Sequence, residues 1–142
     1  MAMFRRLTKR ELFIFVVFLV LSAGFGFVAF LESDVTPVWV TTQARISLSA
    51  DGIGIFIWKA QGGFWADVAN RRTVFDVSPG LQARIVSLNG RPVGKASGTE
   101  TTDRSGRIVV VIKAEAEGPV TLKGVDLRTA KSATAVRWTV AD

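Results

Sequence analysis

The sequence contains no cysteine, no histidine and no tyrosine. Without cysteine there is no disulfide framework, thiolate zinc site, haem-attachment motif or lipid-modified thiol. Without histidine, a Ser-His-Asp triad, a histidine-ligated metal and a histidine pH switch are all excluded. Catalysis would have to rely on Asp, Glu, Lys, Ser, Thr and Arg. We therefore predict a protein that is not an enzyme and that holds no cofactor or metal.

Positive charge is unevenly distributed along the chain. The formal net charge is +6, and half of it belongs to the first 31 residues, where four cations stand against one acid, Glu11. After that segment basic and acidic residues are interspersed, and the longest basic run is Arg71-Arg72, which argues against nucleic-acid binding. The four cations of the first segment are Arg5, Arg6, Lys9 and Arg10.

A run of 20 residues without a charged side chain, Leu12 to Leu31, follows this basic tail. As a helix rising roughly 1.5 Å per residue, the run would measure about 30 Å, the thickness of a bilayer's hydrocarbon core. Cations flank only its N-terminal side, which predicts insertion in the inner (cytoplasmic) membrane with the N-terminus cytoplasmic and the C-terminal domain periplasmic. A cleaved signal peptide is the alternative, although its apolar stretch is shorter, about 7–15 residues.

Small residues recur within the run at spacings of four and three, at Ser22, Gly26 and Ala29. They share one face of a helix, where a neighbouring transmembrane helix approaches closely, so we predict a helix-docking face there. The alternative is that such residues are simply frequent in membrane helices. The run also holds six phenylalanines, which would pack on lipid, on other helices, or on an apolar pigment or quinone: Phe13, Phe15, Phe18, Phe25, Phe27 and Phe30.

The chain divides on this basis into four parts. We assign residues 1–11 to a cytoplasmic basic tail, 12–31 to the transmembrane helix, 32–42 to a connector and 43–142 to a periplasmic domain. The connector contains Pro37, which prevents the helix from continuing. It is short, so it would keep the domain close to the membrane surface.

Residues 43–142 change from a solid apolar block to alternating polar and apolar residues, the period-2 pattern of half-buried strands. Turn signals such as Asp51-Gly52 and Asn89-Gly90 separate the segments. Residues 94–106 are polar and rich in glycine, which indicates a long loop or an irregular edge. The pattern predicts seven or eight strands, at residues 43–50, 53–59, 64–68, 73–77, 81–88, 107–114, 120–127 and 134–140. Gly124 is a candidate β-bulge within its strand, and Trp138 is expected to face inward from the last strand.

The predicted fold class is mainly β, with one N-terminal transmembrane helix and an antiparallel immunoglobulin-like β-sandwich outside the membrane. Asn89-Gly-Arg-Pro, followed by Asp103-Arg-Ser-Gly106 and a long β-branched strand, resembles extracytoplasmic immunoglobulin-like domains in general. The resemblance is one of architecture over roughly residues 81–140, and architecture carries no activity.

Large aromatic side chains are concentrated within residues 56–75, and a sandwich of this size has core space for about three of them: Phe56, Trp58, Phe64, Trp65 and Phe75. Exposed aromatics beside arginine are typical of protein–protein hot spots and of membrane interfaces. The candidate contact residues are therefore Trp39, Phe64, Trp65, Arg71 and Arg72.

These features predict a non-catalytic, single-pass accessory subunit of a larger inner-membrane complex, for example a respiratory or photosynthetic electron-transfer assembly. Its partners would be other integral membrane subunits and the lipid bilayer. The alternative is a membrane-anchored periplasmic assembly factor or binding module that engages its clients transiently. A third hypothesis, an enzyme that uses the carboxylates of Asp67 and Asp76 alone, is disfavoured because isolated carboxylates near arginine usually form ion pairs.

Overall fold

A computed structural model describes residues 8–33, 35–41 and 43–141, with the side chains of the helix described as far as Leu21. One α-helix precedes ten strands in the described chain, and a single-turn 3-10 helix (Leu48–Ala50) follows the second strand within the stretch 43–50 that was predicted as a strand. The elements are α1 (Lys9–Ser33), β1 (Thr36–Val40), β2 (Arg45–Ser47), β3 (Ile53–Gln61), β4 (Arg72–Ser78), β5 (Ala83–Leu88), β6 (Arg91–Lys95), β7 (Ser97–Thr101), β8 (Arg107–Ala114), β9 (Gly118–Asp126) and β10 (Ser132–Val140).

Helix α1 begins at Lys9 because Thr8, just before it, and Glu11, in its first turn, form a capping box. The Glu11 backbone N–H donates to Thr8 Oγ1, and the Thr8 N–H donates to the Glu11 carboxylate, both at 3.2 Å. Lys9 and Arg10 are exposed in the first turn, and the apolar side chains as far as Leu21 are exposed as well. In the part of the chain that the structure describes, no helix combines the length and the apolar character needed to cross a membrane.

Several residues predicted from the sequence lie outside this description. They are the two cations Arg5 and Arg6 and the side chains of the helix-docking face, Ser22, Gly26 and Ala29. Those predictions stay as they were made.

The strands form two five-stranded sheets packed face to face. Sheet A has the order β1-β3-β8-β5-β6, and sheet B has the order β2-β10-β9-β4-β7. All neighbours are antiparallel except β2 and β10, which pair in parallel. The chain is thus mainly β with a sandwich-like fold, and it has more strands than the seven or eight predicted.

The structure differs from the sequence interpretation in three places. Residues 64–68 form turns and irregular chain instead of a strand. Strand β7 lies inside residues 94–106, the stretch predicted as a long loop or irregular edge, and the last two residues of β6 enter it as well. Strand β1 lies inside the predicted connector, so the sandwich already begins at Thr36. The second and third discrepancies concern sheet edges, since β1, β6 and β7 are all edge strands. Edge strands carry little of the alternation that marks a buried strand.

The core lies between the sheets and centres on aromatic rings. Trp58 on β3 is 1% exposed and meets Phe75 of β4 edge-on, with ring centroids 5.3 Å apart. Phe56 is buried beside them, so three of the five clustered aromatics are in the core, as expected. Trp138 was predicted to face inward, but this prediction is wrong, because its side chain is 59% exposed on β10.

Strand register fixes which connections share an end of the sandwich. Thr36 pairs with Gln61, so the start of β1, which follows α1, lies beside the end of β3. The β3–β4, β7–β8 and β9–β10 connections all lie at this end, which we call the helix-proximal end. The β2–β3 and β8–β9 connections lie at the opposite end, the distal end.

The β7–β8 turn is held by one carboxylate. Asp103 accepts hydrogen bonds from the Arg107 N–H (3.0 Å), the Ser105 N–H (2.9 Å) and the Ser105 hydroxyl (2.7 Å). The backbone bond from Arg107, followed by the Ser105 hydroxyl, lowers the pKa of Asp103 below its ordinary value of 3.8. These bonds favour the ionised form, so the turn is best held when Asp103 is charged.

Replacing Asp103 by Asn is therefore expected to lower Tm slightly at neutral pH. A depressed folded-state pKa contributes stability that is complete above the unfolded pKa and is lost as pH falls through the folded pKa. The Tm difference between wild type and variant should thus shrink below about pH 4. Thermal unfolding from pH 7 to pH 3, with Asp51→Asn as the exposed-loop control, measures it. A difference that is constant over this pH range would contradict the assignment.

Candidate contact site

Residues 62–71, which join β3 to β4, form what we call the aromatic loop. Its two large side chains are exposed, Phe64 at 91% and Trp65 at 67%. Their rings contact each other edge-on, with centroids 4.9 Å apart and planes at 89°. The exposure of these two aromatics was expected from the sequence, and the structure confirms it. An exposed aromatic pair of this kind gives a contact surface with few rotatable bonds.

The base of the aromatic loop is anchored by a buried arginine. The Arg71 side chain is fully buried, and its Nε donates to Asp126 Oδ2 at 2.6 Å. Its Nη1 donates to the carbonyl of Asp67 within the same loop at 2.8 Å. Because a charged donor in a water-excluded site forms strong, directional bonds, this side chain fixes the loop to the end of β9.

A threonine supplies the second anchor. Thr102 Oγ1 donates to the Val68 carbonyl at 2.6 Å and accepts from the Arg71 N–H at 2.9 Å. The Thr102 backbone also bonds to Asn70 and Arg71, each at 3.0 Å. The second half of the loop is therefore tied to the β7–β8 connection, while Phe64 and Trp65 project from the first half.

The remaining predicted contact residues take different positions. Arg71 was expected at the surface, and this expectation is corrected, because the buried carboxylate of Asp126 draws its guanidinium inward. Arg72 is exposed at the start of β4. Trp39 is half-buried, its ring packs 5.0 Å from that of Trp58, and its Nε1 donates to the Ala133 carbonyl at 2.9 Å. Its neighbours are thus residues of the sandwich itself.

The carboxylates considered for catalysis lie on different elements. Asp67, in the aromatic loop, accepts a hydrogen bond from Arg128 Nη1 at 3.1 Å, and the pair is partly exposed. Asp76 is exposed on β4, opposite Lys123 of β9. Among the described residues, no group of three acidic side chains is placed to hold a metal ion. Asp67 and Asp76 are therefore not brought together in one site.

Sequence reasoning missed a second surface, on the outer face of sheet A. There, β-branched side chains from β1, β3 and β8 lie side by side: Val40 pairs with Ile57, and Ile57 pairs with Val109. In the next row Ile55 pairs with Val111. We call this surface the sheet A patch, and it consists of Val40, Ile55, Ile57, Val109 and Val111.

The sheet A patch faces water although its composition is that of a core. Ile55 is 50% exposed, Val40 44% and Val109 39%. The outer face of an antiparallel sheet normally alternates to polar residues, and contiguous exposed apolar surface marks interaction sites. The outer face of sheet B is more polar, with Asp76 and Lys123 paired at its centre. In the sequence, β3 and β8 are apolar at successive positions and not only at alternate ones, which indicates two apolar faces without showing which of them is exposed.

Cations border the sheet A patch at both ends of its strands. Lys59 pairs with Arg107 at the helix-proximal side, and Arg84 pairs with Lys113 at the distal side. Glu115, the acid nearest this border in the chain, forms an ion pair with Arg84 at 3.2 Å. The patch is therefore apolar in its middle and predominantly basic around it.

Comparison with known proteins gives the fold and no family. No family model and no curated protein sequence matches the chain. Among solved structures, the chain is similar to a β-glycosidase from Bacteroides vulgatus (15% identity, TM-score 0.58) and to a glycosyl hydrolase family 2 member from Bacteroides cellulosilyticus (12%, 0.58). It is also similar to the adhesin InvE of Yersinia pseudotuberculosis (16%, 0.56).

Each of these matches covers 75% of this chain. It covers only 14% of either glycosidase and 32% of the adhesin. The similarity therefore concerns one module of much longer proteins. At such low identity it shows that the sandwich-like fold is shared, and it carries no information on activity.

Proposed function

We propose that the protein is a non-catalytic, single-pass accessory subunit of a larger inner-membrane complex. Helix α1 anchors it, and an immunoglobulin-like sandwich on the periplasmic side docks on its partner through the sheet A patch. The observation that carries the proposal is the row of outward-facing β-branched residues Val40, Ile57 and Val109 across three neighbouring strands, in which Val40 and Val109 are exposed and Ile57 is half-buried between them. Such a surface is costly to leave in water and is stabilised when a partner covers it.

The anchor rests on the sequence. The uncharged run from Leu12 to Leu31 has the length of a membrane-spanning helix, and cations lie only before it. A periplasmic domain on this anchor is held beside the integral membrane subunits with which it would assemble. Tethering raises the effective concentration of the domain near such a partner, so a patch of modest size suffices for stable association.

The chemistry of the sheet A patch defines the partner. The centre requires an apolar surface, and the border of Lys59 and Lys113 favours acidic side chains around it. We therefore infer a periplasmic segment of a membrane subunit with apolar residues flanked by Asp or Glu. The aliphatic residues of the patch offer burial and no reactive group, in keeping with a structural role.

Placing charge in the sheet A patch is expected to abolish this association. The variant Ile55→Lys, alone and combined with Val109→Lys, keeps both positions on the outer face, where lysine remains solvated in the unbound protein. Wild type extracted in mild detergent should co-purify with its partner at a fixed ratio in native mass measurements. The amount of partner that co-purifies with the double variant should fall at least about tenfold, because an unpaired charge buried at an interface is strongly unfavourable.

Val136→Lys is the matched control, since Val136 is 52% exposed on the outer face of sheet B. It should retain the partner. A clean monomer from the wild type would contradict the proposal. Partners recovered only in substoichiometric amounts would instead favour the transient assembly factor.

A further inference from the structure

The helix-proximal end of the sandwich carries a second contact surface, distinct from the sheet A patch. Helix α1 ends at Ser33 and β1 begins at Thr36, a separation of at most about 10 Å along an extended chain. Thr36 pairs with Gln61, the last residue of β3, and the aromatic loop starts at the next residue. Whatever α1 is inserted into therefore lies close to this loop.

Phe64 and Trp65 are held at this end without cover from the sandwich. Both side chains are mostly exposed, while the anchors at Arg71 and Thr102 fix the base of their loop. The aromatic pair thus remains exposed in the folded domain even though the loop that carries it is tied down. Trp and other aromatics in such positions are typical of the boundary between lipid headgroups and hydrocarbon.

Exposed cations lie at the same end of the sandwich as the aromatic pair. Arg72 at the start of β4, Arg104 in the β7–β8 turn and Arg107 at the start of β8 are all exposed at the helix-proximal end. Two exposed acids also lie at this end: Asp67, which is paired with Arg128, and Asp103, which is bonded within its own turn. The distal end carries exposed charges of both signs, among them Asp51, Glu117, Arg84 and Lys95. What is specific to the helix-proximal end is that its exposed arginines share it with the aromatic loop and with the start of the tether to α1.

We propose that the helix-proximal end rests on the membrane surface, with Phe64 and Trp65 inserted at the level of the lipid headgroups. Arg72, Arg104 and Arg107 bind lipid phosphates around them. This inference rests on the proposed function in one respect only, the insertion of α1. It adds that the domain stands upright on the bilayer in a fixed orientation and presents the sheet A patch sideways, parallel to the membrane plane.

Lipid fits this end better than a protein partner for two reasons. The tether brings the end within the interfacial region of the bilayer, since the headgroup layers extend the hydrocarbon core of about 30 Å to about 40–45 Å. Arginine and aromatic side chains together also match a surface that is anionic outside and apolar beneath. Trp138 lies beside Arg45 near the distal end, but that end is at the opposite end of the strands from α1.

Depth-dependent quenching of tryptophan fluorescence tests this orientation. The full chain is reconstituted in vesicles of phosphatidylcholine and phosphatidylglycerol that contain a headgroup-proximal spin-labelled phosphatidylcholine. The spin label should quench part of the wild-type emission, and Trp65→Phe should remove most of the quenched component. Trp138→Phe should leave that component unchanged, because Trp138 lies about 20 Å along β10 from its helix-proximal start at roughly 3.3 Å per residue.

A second measurement examines the cations. The combined variant Arg72→Gln, Arg104→Gln and Arg107→Gln should reduce Trp65 quenching in phosphatidylglycerol vesicles and have a smaller effect in pure phosphatidylcholine. Quenching of Trp138 in place of Trp65, or equal quenching of both, would overturn the proposed orientation. If the spin label quenches neither tryptophan in vesicles, the lipid assignment is overturned. Protection of Trp65 from quenchers that appears only after a partner protein is added would then indicate a protein contact.

The insertion of α1 is measured separately by resistance of the reconstituted chain to alkaline carbonate. If carbonate releases the chain from the vesicles, the result contradicts both the proposed function and this inference. If the chain resists carbonate but Trp65 is not quenched, the result contradicts only the inference.

Discussion

Replacing Arg71 by Met is expected to lower the free energy of unfolding by about 3–5 kcal/mol, since removing one partner of a buried ion pair leaves the other charge uncompensated. The side chains of Arg71 and Asp126 are 0% and 2% exposed, so water does not replace the lost guanidinium without opening the structure. Methionine fills much of the same volume, which limits the contribution from a cavity.

The expected cost is large because this pair joins three elements. Arg71 precedes β4 and bonds to Asp126 at the end of β9, and Asp126 Oδ1 accepts the Arg128 N–H at 2.9 Å in the β9–β10 turn. Arg71 Nη1 also carries the bond to the aromatic loop through the Asp67 carbonyl. Its Nη2 has no hydrogen-bond partner among the described residues, so two side-chain bonds account for the effect.

Urea unfolding of the full chain in mild detergent, followed by tryptophan fluorescence, measures this change. Arg128→Met is the matched control, because its ion pair with Asp67 is partly exposed and such pairs contribute about 0–1 kcal/mol. The double variant Arg71→Met/Asp126→Leu should regain part of the loss by removing the orphaned carboxylate. A loss below about 1 kcal/mol for Arg71→Met alone would show that the buried charge is not essential.

The behaviour of Arg71 illustrates what local sequence cannot supply. In sequence Arg71-Arg72 is a basic pair beside exposed aromatics, and both residues were assigned to the surface. Only the pairing of β4 with β9 brings Asp126, 55 residues away, against Arg71 and not against Arg72. Neither residue carries a local pattern that distinguishes the buried arginine from the exposed one.

The parts of the fold that were predictable share a strong period-2 or apolar pattern. The sequence predicted strand β8 at its observed bounds, because a run of β-branched residues strongly favours a strand. The division of five aromatics into three buried and two exposed also followed from core volume and the Gly62-Gly63 turn. In contrast, β7 (Ser97–Thr101) is polar because it lies at a sheet edge, and its pairing with β4 comes from tertiary structure alone.

The contact surfaces were predictable in part for the same reason. The exposure of Phe64 and Trp65 could be inferred from their number and their neighbours. The sheet A patch could not be distinguished from core, because β3 carries apolar residues on both faces and sequence does not indicate which face meets sheet B. Trp138 is the reverse case. The sequence predicted that it faces the core, but it lies exposed on the outer face of sheet B.

Gly124 provides the other large expected effect, at the centre of sheet B. The sequence suggested a bulge there, but β9 keeps its register on both sides, with Gly124 opposite Phe75 and Ala133. The reason for glycine is space. A Cβ at this position would lie 2.8 Å from two carbon atoms of the Trp58 ring, Cε3 and Cη2, where carbon atoms need about 3.5 Å or more.

Gly124→Ala is accordingly expected to destabilise the domain by about 1–3 kcal/mol, and Gly124→Val by more than about 3 kcal/mol. Trp58 cannot yield easily, because Phe75 packs against its ring and the side chain is 1% exposed. Urea unfolding measures both, with Lys123→Val as the control for β-propensity, since Lys123 lies next in the same strand and faces solvent. In the Trp58→Phe background, where the new methyl has room, Gly124→Ala should cost less than it does in the wild type. If Gly124→Val were as stable as wild type, the Trp58 side chain would have room to move. That result would contradict the close packing of Trp58 of β3 against Gly124 of β9.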